Sequence, residues 1–100
     1  MISWVHAKIT WVPKEKGGRE SRPPKHFSTP VRFEKYKDEW PNKAWSLVFD
    51  FPAAPDDWTI AEVGFLVPEK APHELLQPGN KFDIVRFDTG RVEASGEIID

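Results

Sequence analysis

Residues 44–51 set the terms for the fold. Trp45, Leu47, Phe49 and Phe51 alternate with Ala44, Ser46, Val48 and Asp50. That period of two puts the large apolar side chains on one face of an extended strand and leaves the other face for solvent. The same period recurs in weaker form along the chain. Residues 2–12 place Val5, Ala7, Ile9 and Trp11 on one face and Trp4, His6, Lys8 and Thr10 on the other. Residues 26–34 set Phe27, Thr29, Val31 and Phe33 against His26, Ser28, Pro30 and Arg32. Ten prolines punctuate the runs, and proline removes a backbone donor and clashes inside a helix, so long helices are excluded.

The remaining segments fit the same pattern. Residues 58–67 read as a strand with Ala61, Val63, Phe65 and Val67 on one face; Ile60 and Leu66 beside Glu62 and Gly64 imply partial cover on the other. Two short runs, Phe82–Phe87 and Val92–Ile99, meet at Asp88-Thr89-Gly90-Arg91, an Asp/Gly hairpin signature. Pro30 cannot donate to a ladder and predicts an edge or a bulge. Between strands, 14–25 is a charged loop with Gly17-Gly18-Arg19 and Pro23-Pro24, and 35–43 is a charged connection whose only apolar element is Trp40-Pro41. Pro52 to Asp57 is turn-rich. His73-Glu74-Leu75-Leu76 suits one helical or 3₁₀ turn, and Pro78-Gly79 is a type II turn signal. About six strands at this spacing, with no second domain, predict an all-β sandwich or barrel over residues 1–100, and barrel closure would remove exposed edges.

Composition narrows the chemistry. There is no Cys, so disulfides, thiol nucleophiles and thiolate metal sites are excluded; this fits a cytoplasmic protein. No run approaches a membrane span, and the N-terminus lacks a signal-peptide pattern. The net charge of −2 conceals an asymmetry. Residues 1–43 hold ten Lys/Arg and five Asp/Glu, and residues 44–100 hold four and eleven, giving +5 and −7. The halves attract one another. They make separate basic and acidic regions only if strand order keeps them apart. A basic patch suits RNA or an acidic protein; the plain alternative is solvated loops.

No constellation signals an enzyme. His6, His26 and His73 are far apart, so a metal site needs a coincidence of folding. Asp56-Asp57 is a turn before it is a ligand pair. Glu62, Glu69 and Glu74 show no acid/base pairing, there is no nucleophile elbow, and Ser95 is a plain strand residue. No cofactor is called for. Of the aromatic residues, Trp11, Phe27, Phe33, Trp45, Phe49, Phe51, Phe65, Phe82 and Phe87 fit inward positions. Trp4, Trp40 and Trp58 do not, and mark either an interface or covered barrel ends.

Two Gly-Arg turns, Gly17-Gly18-Arg19 and Gly90-Arg91, are the most informative local feature. With them come Leu75-Leu76-Gln77-Pro78-Gly79, then Phe82-x-Ile84, and Gly96 six residues after Gly90. In this order the chain resembles the third, C-terminal β-barrel domain of the translation elongation factor Tu family, over most of residues 5–99. The GTP-binding domain of that family and its phosphate loop have no counterpart here. The resemblance implies a six-stranded antiparallel barrel and a non-catalytic module that binds RNA or a translation-associated protein. It implies that Arg19 and Arg91 contact phosphate. Glycine turns admit backbone N–H groups to phosphate oxygens and arginine offers a forked donor, so Arg22 and Lys25 join them as candidates. Asp88, Glu93 and Glu97 bring negative charge beside Arg91 on the same hairpin.

A second expectation belongs to another class. A small, slightly acidic, Trp-rich chain suits a protein-neutralising partner, an immunity protein or antitoxin. There Asp50, Asp56, Asp57 and Glu62, with Trp40 or Trp58, would meet a cationic toxin. Oligomeric state is open, and an edge strand such as 26–34 suits pairing in a dimer.

Overall fold

The computed structural model describes residues 3–16, 24–40, 42, 44–52, 58–86 and 88–100. They form six strands: β1 (Val5–Trp11), β2 (His26–Phe33), β3 (Trp45–Asp50), β4 (Trp58–Phe65), β5 (Lys81–Val85) and β6 (Val92–Ile98). Four short 3₁₀ segments join them: η1 (Lys14–Lys16), η2 (Glu34–Glu39), η3 (Pro68–Lys70) and η4 (His73–Leu76). The strands close into one antiparallel barrel in the order β1-β4-β3-β2-β5-β6.

The alternation read from the sequence becomes the core. Ala7, Ile9, Trp11, Val31, Phe33, Leu47, Phe49, Phe51, Ala61, Val63, Phe65, Phe82, Ile84, Ala94 and Ile98 are buried, and Val5, Phe27 and Trp45 pack against them. The aromatic rings form a connected set. Phe49 lies 5.7 Å from Phe51 in a parallel stack and 6.1 Å from Phe82, while Phe33 bridges Phe65 and Phe82 at 6.2 and 5.7 Å. Offset and tilted rings at such distances add to burial through their quadrupoles. Phe87 lies outside the described residues.

Turn chemistry behaves as its residues dictate. Gly79 has φ of 95°, the left-handed conformation that position i+2 of a type II turn demands. Asn80 N–H donates to the Gln77 carbonyl at 3.2 Å, and Gly79 N–H donates to the Ile98 carbonyl at 2.8 Å, which ties the turn to β6. The η4 segment occupies the predicted helical turn and buries Leu75 and Leu76 under one barrel end. Pro30 stands where a ladder stops: β2 pairs with β3 over 26–31 but with β5 only over 31–33.

Several expectations need correction. Val67 is 49% exposed, because β4 ends at Phe65 and the chain turns outward at Leu66 and Val67 before Pro68. The outer face of β4 is open at Ile60 and Glu62 and covered only at Gly64, which is buried; Leu66, just past the strand, is exposed. Tyr36 packs on the core from η2, so the charged connection holds an apolar anchor besides Trp40. The strand expected to reach Phe87 ends at Val85.

Strand order also decides the charge question. β1 lies between β4 and β6, and β2 lies between β3 and β5. The strands of the basic first half are therefore interleaved with those of the acidic second half, and the described strands do not divide into a basic and an acidic face. Attraction between the halves appears instead as cross-strand pairs. Lys8 of the first half stands opposite Glu97 of the second in the β1–β6 register. Arg32 Nη2 donates to Asp83 Oδ2 at 2.8 Å. Such opposed charges favour this register over alternatives.

Candidate functional site

The barrel's two ends gather different loops. One end carries the end of β1, the start of β2, the β3–β4 connection and the β5–β6 hairpin. It therefore holds Lys25, Gly90, Arg91 and Trp58 among the candidate residues. Gly17, Gly18, Arg19 and Arg22 lie outside the described residues; the flanking Lys16 and Pro24 stand at this same end. Asp56 and Asp57 also lie outside them. Trp40 stands at the opposite end, after η2, so the structure does not bring it together with Trp58 or the Gly-Arg hairpin. Trp4 precedes β1 at that opposite end and is exposed.

The hairpin's geometry settles where its charges go. Gly90 takes φ of 72°, and its N–H donates to the Arg86 carbonyl at 2.7 Å, while Arg86 N–H donates to the Arg91 carbonyl at 3.0 Å. Across this loop Arg86 grips Asp88 with two bonds, Nε to Oδ1 at 3.1 Å and Nη2 to Oδ2 at 2.9 Å. The hydrogen bond from Arg86 holds the Asp88 carboxyl below its ordinary value, and that bond with the Asp88 charge raises Arg86. A β-bulge sets Ile84 opposite Ala94 and Val85 opposite Val92, which leaves Glu93 as the extra residue, tucked to 7% exposure with its charge acting on Arg86. Glu97 lies near the other end of β6, between Lys8 and Lys81. Arg91 is exposed and makes no ion pair among the described residues.

The histidines stay apart. His6 Nδ1 donates to Asp100 Oδ1 at 2.7 Å, His26 lies 3.7 Å from Asp50, and His73 Nε2 donates to the Pro68 carbonyl at 2.7 Å. Among the described residues no group of three His, Asp or Glu gathers as metal ligands.

A second region escaped the sequence reading. An open groove of about 480 Å³ crosses the outer face of β1, β6, β5 and β2 and is walled by η2. Its floor is a polar chain over three strands: Arg32 donates to one Asp83 oxygen, and Ser95 Oγ donates to the other at 3.1 Å. Lys8, Lys81 and Glu97 line one flank, and Glu34 and Lys37 line the η2 side. These residues alternate outward on separate strands, and nothing in their sequence spacing announces that closure makes them neighbours.

Next to β1, on the strand beyond the groove's flank, β4 turns Trp58 and Ile60 outward, 55% and 39% exposed. The Lys8 ammonium sits 5.1 Å from the Trp58 ring centre. Next along β4, Glu62 stands directly opposite Asp50.

No protein-family model matches the chain, and no curated protein matches it in sequence.

Proposed function

We propose that this barrel is a non-catalytic binding module that docks RNA through its β5–β6 hairpin end, in the manner implied by its resemblance to the elongation factor Tu C-terminal barrel. The observation that carries the reading is the division of labour on the hairpin. Arg86 takes up the charge of Asp88, and Arg91 is left with its fork uncommitted among the described residues. Lys25 shares that end, as do Lys16 and Pro24, the described residues on either side of the 17–23 segment that carries Arg19 and Arg22 in the sequence. An arginine fork beside a glycine turn is suited to a phosphate backbone, which positions RNA without reading its sequence.

Fluorescence anisotropy with labelled tRNA tests this at about 50 and 200 mM salt. A phosphate contact makes log K fall with log salt by about 0.7–0.9 per neutralised phosphate. Lys25→Ala with Arg91→Ala is expected to flatten that slope by one to two units and leave the fold intact. Absence of binding at low salt, or binding with no salt dependence, refutes the reading.

A second reading is favoured by one specific feature. Asp50 and Glu62 face each other across β3 and β4, a like-charge pair that costs stability, beside exposed Trp58 and Ile60. An acidic pair next to an aromatic anchor suits a cationic protein partner, as in an immunity protein or antitoxin. Trp40 takes no part in this version, since it lies at the opposite barrel end. Affinity capture from the native cell distinguishes the readings: a single basic protein whose binding is lost in Trp58→Ala supports this one, and tRNA or ribosomal components alone argue against it.

A further inference from the structure

The groove on the outer face of β1, β6, β5 and β2 has no role in either reading. We infer that it binds a small phosphomonoester carrying hydroxyl groups, of sugar-phosphate or nucleoside-monophosphate size.

The volume is right for such a molecule. About 480 Å³ falls within the range of small-ligand sites, which set a few convergent polar groups in a concave surface. The charge is right as well. Lys8, Arg32, Lys37 and Lys81 face three carboxylates, Glu34, Asp83 and Glu97, which leaves one positive charge in surplus.

That surplus is concentrated by the hydrogen bonding. Both oxygens of Asp83 are already engaged, one by Arg32 and one by Ser95. Asp83 therefore holds the Arg32 guanidinium in place while using only its Nη2. The rest of the fork is uncommitted among the described residues and lies partly buried at the groove floor. Lys37 and Lys81 make no ion pair among the described residues, and both reach the same space. A guanidinium anchored through one nitrogen, with two ammonium groups reaching the same space, is suited to a tetrahedral oxyanion.

The carboxylates define what else the ligand carries. Glu34 and Glu97 stand on opposite sides of the groove and accept hydrogen bonds, so they suit hydroxyl groups next to the phosphate. They also disfavour an extended polyanion, whose further phosphates would meet three like charges. The groove therefore suits a compact ligand rather than a nucleic-acid strand, and its occupancy is independent of the hairpin end.

Nitrogen–proton correlation NMR on the full chain tests this, titrating ribose 5-phosphate, with ribose and inorganic phosphate as comparison probes. Saturable shifts confined to Ser95, Gly96, Glu97 and Lys81 are expected below about 10 mM ligand, the weak end of specific affinity. Ribose is expected to bind at least about tenfold more weakly. Lys37→Ala with Lys81→Ala removes two exposed side chains without touching the core, and is expected to weaken ribose 5-phosphate about tenfold while leaving the affinity for tRNA unchanged. Absence of saturable shifts, or shifts unaltered in the double variant, overturns the site. Inorganic phosphate binding as tightly as ribose 5-phosphate overturns the role of Glu34 and Glu97.

Discussion

Gly96 and Phe82 are cross-strand partners that share one volume. They pair between β6 and β5, and the Phe82 ring occupies the place where a β-carbon on residue 96 would stand. Two of its ring carbons lie 2.6 and 2.7 Å from that position, with Cζ nearer still. An aromatic ring laid over a glycine lets the two strands curve tightly while the core stays filled.

Gly96→Ala is expected to cost about 2–3 kcal/mol, in the range of core overpacking. Phe82→Leu in the same chain frees that volume and is expected to recover part of the loss. Urea melts of the two single variants and the double variant measure the coupling. Additive effects would show that the ring can move aside freely.

The aromatic core predicts an unequal response to truncation. Phe49→Ala removes a buried ring that contacts Phe27, Phe51 and Phe82, and is expected to cost about 3–5 kcal/mol. Trp58→Ala removes a larger but exposed ring and is expected to cost no more than about 1 kcal/mol, the scale of an exposed cation–π contact with Lys8. Chemical denaturation compares them directly. A Trp58 loss equal to that of Phe49 would contradict the burial pattern.

The Arg86–Asp88 clamp makes hairpin stability depend on acid. Hydrogen bonding to Arg86 keeps the Asp88 carboxyl below its usual 3.8. A carboxyl depressed on folding stabilises the native state above its unfolded value, and that contribution is lost as pH falls through the lower folded value. The wild-type chain is therefore expected to exceed Asp88→Asn in stability by a small constant margin above pH 3.8, and the margin is expected to shrink as pH drops from there through the lower folded value. Denaturant melts across acid pH measure this; a margin that persists in acid, or grows toward neutral pH, counts against the clamp.

Asp83 joins three strands through one carboxylate, and its loss is expected to exceed that of either partner bond. Asp83→Ala strands the partly buried Arg32 guanidinium and is expected to cost about 1–3 kcal/mol. Ser95→Ala removes a single hydrogen bond and is expected to cost about 0.5–1.5 kcal/mol. Thermal unfolding of the two variants ranks them, and the reverse order would show that Arg32 finds other partners.

What is local in this fold was legible in the chain alone. Period-two alternation placed Leu47, Phe49 and Phe51 inside, because side chains on a strand have no choice but to alternate. Pro78-Gly79 and Gly90 marked their turns, because positive φ is open to glycine and costly to other residues. A local rule failed where it stopped applying: Val67 lies past the strand whose phase placed it inward. Only the tertiary structure decided which strands meet. Arg32 and Asp83 are 51 residues apart, and their contact, the groove around them and the mixing of basic and acidic halves all follow from the order β1-β4-β3-β2-β5-β6. That order is chosen by burial of one whole core face at once, a property of the closed barrel and of no segment within it.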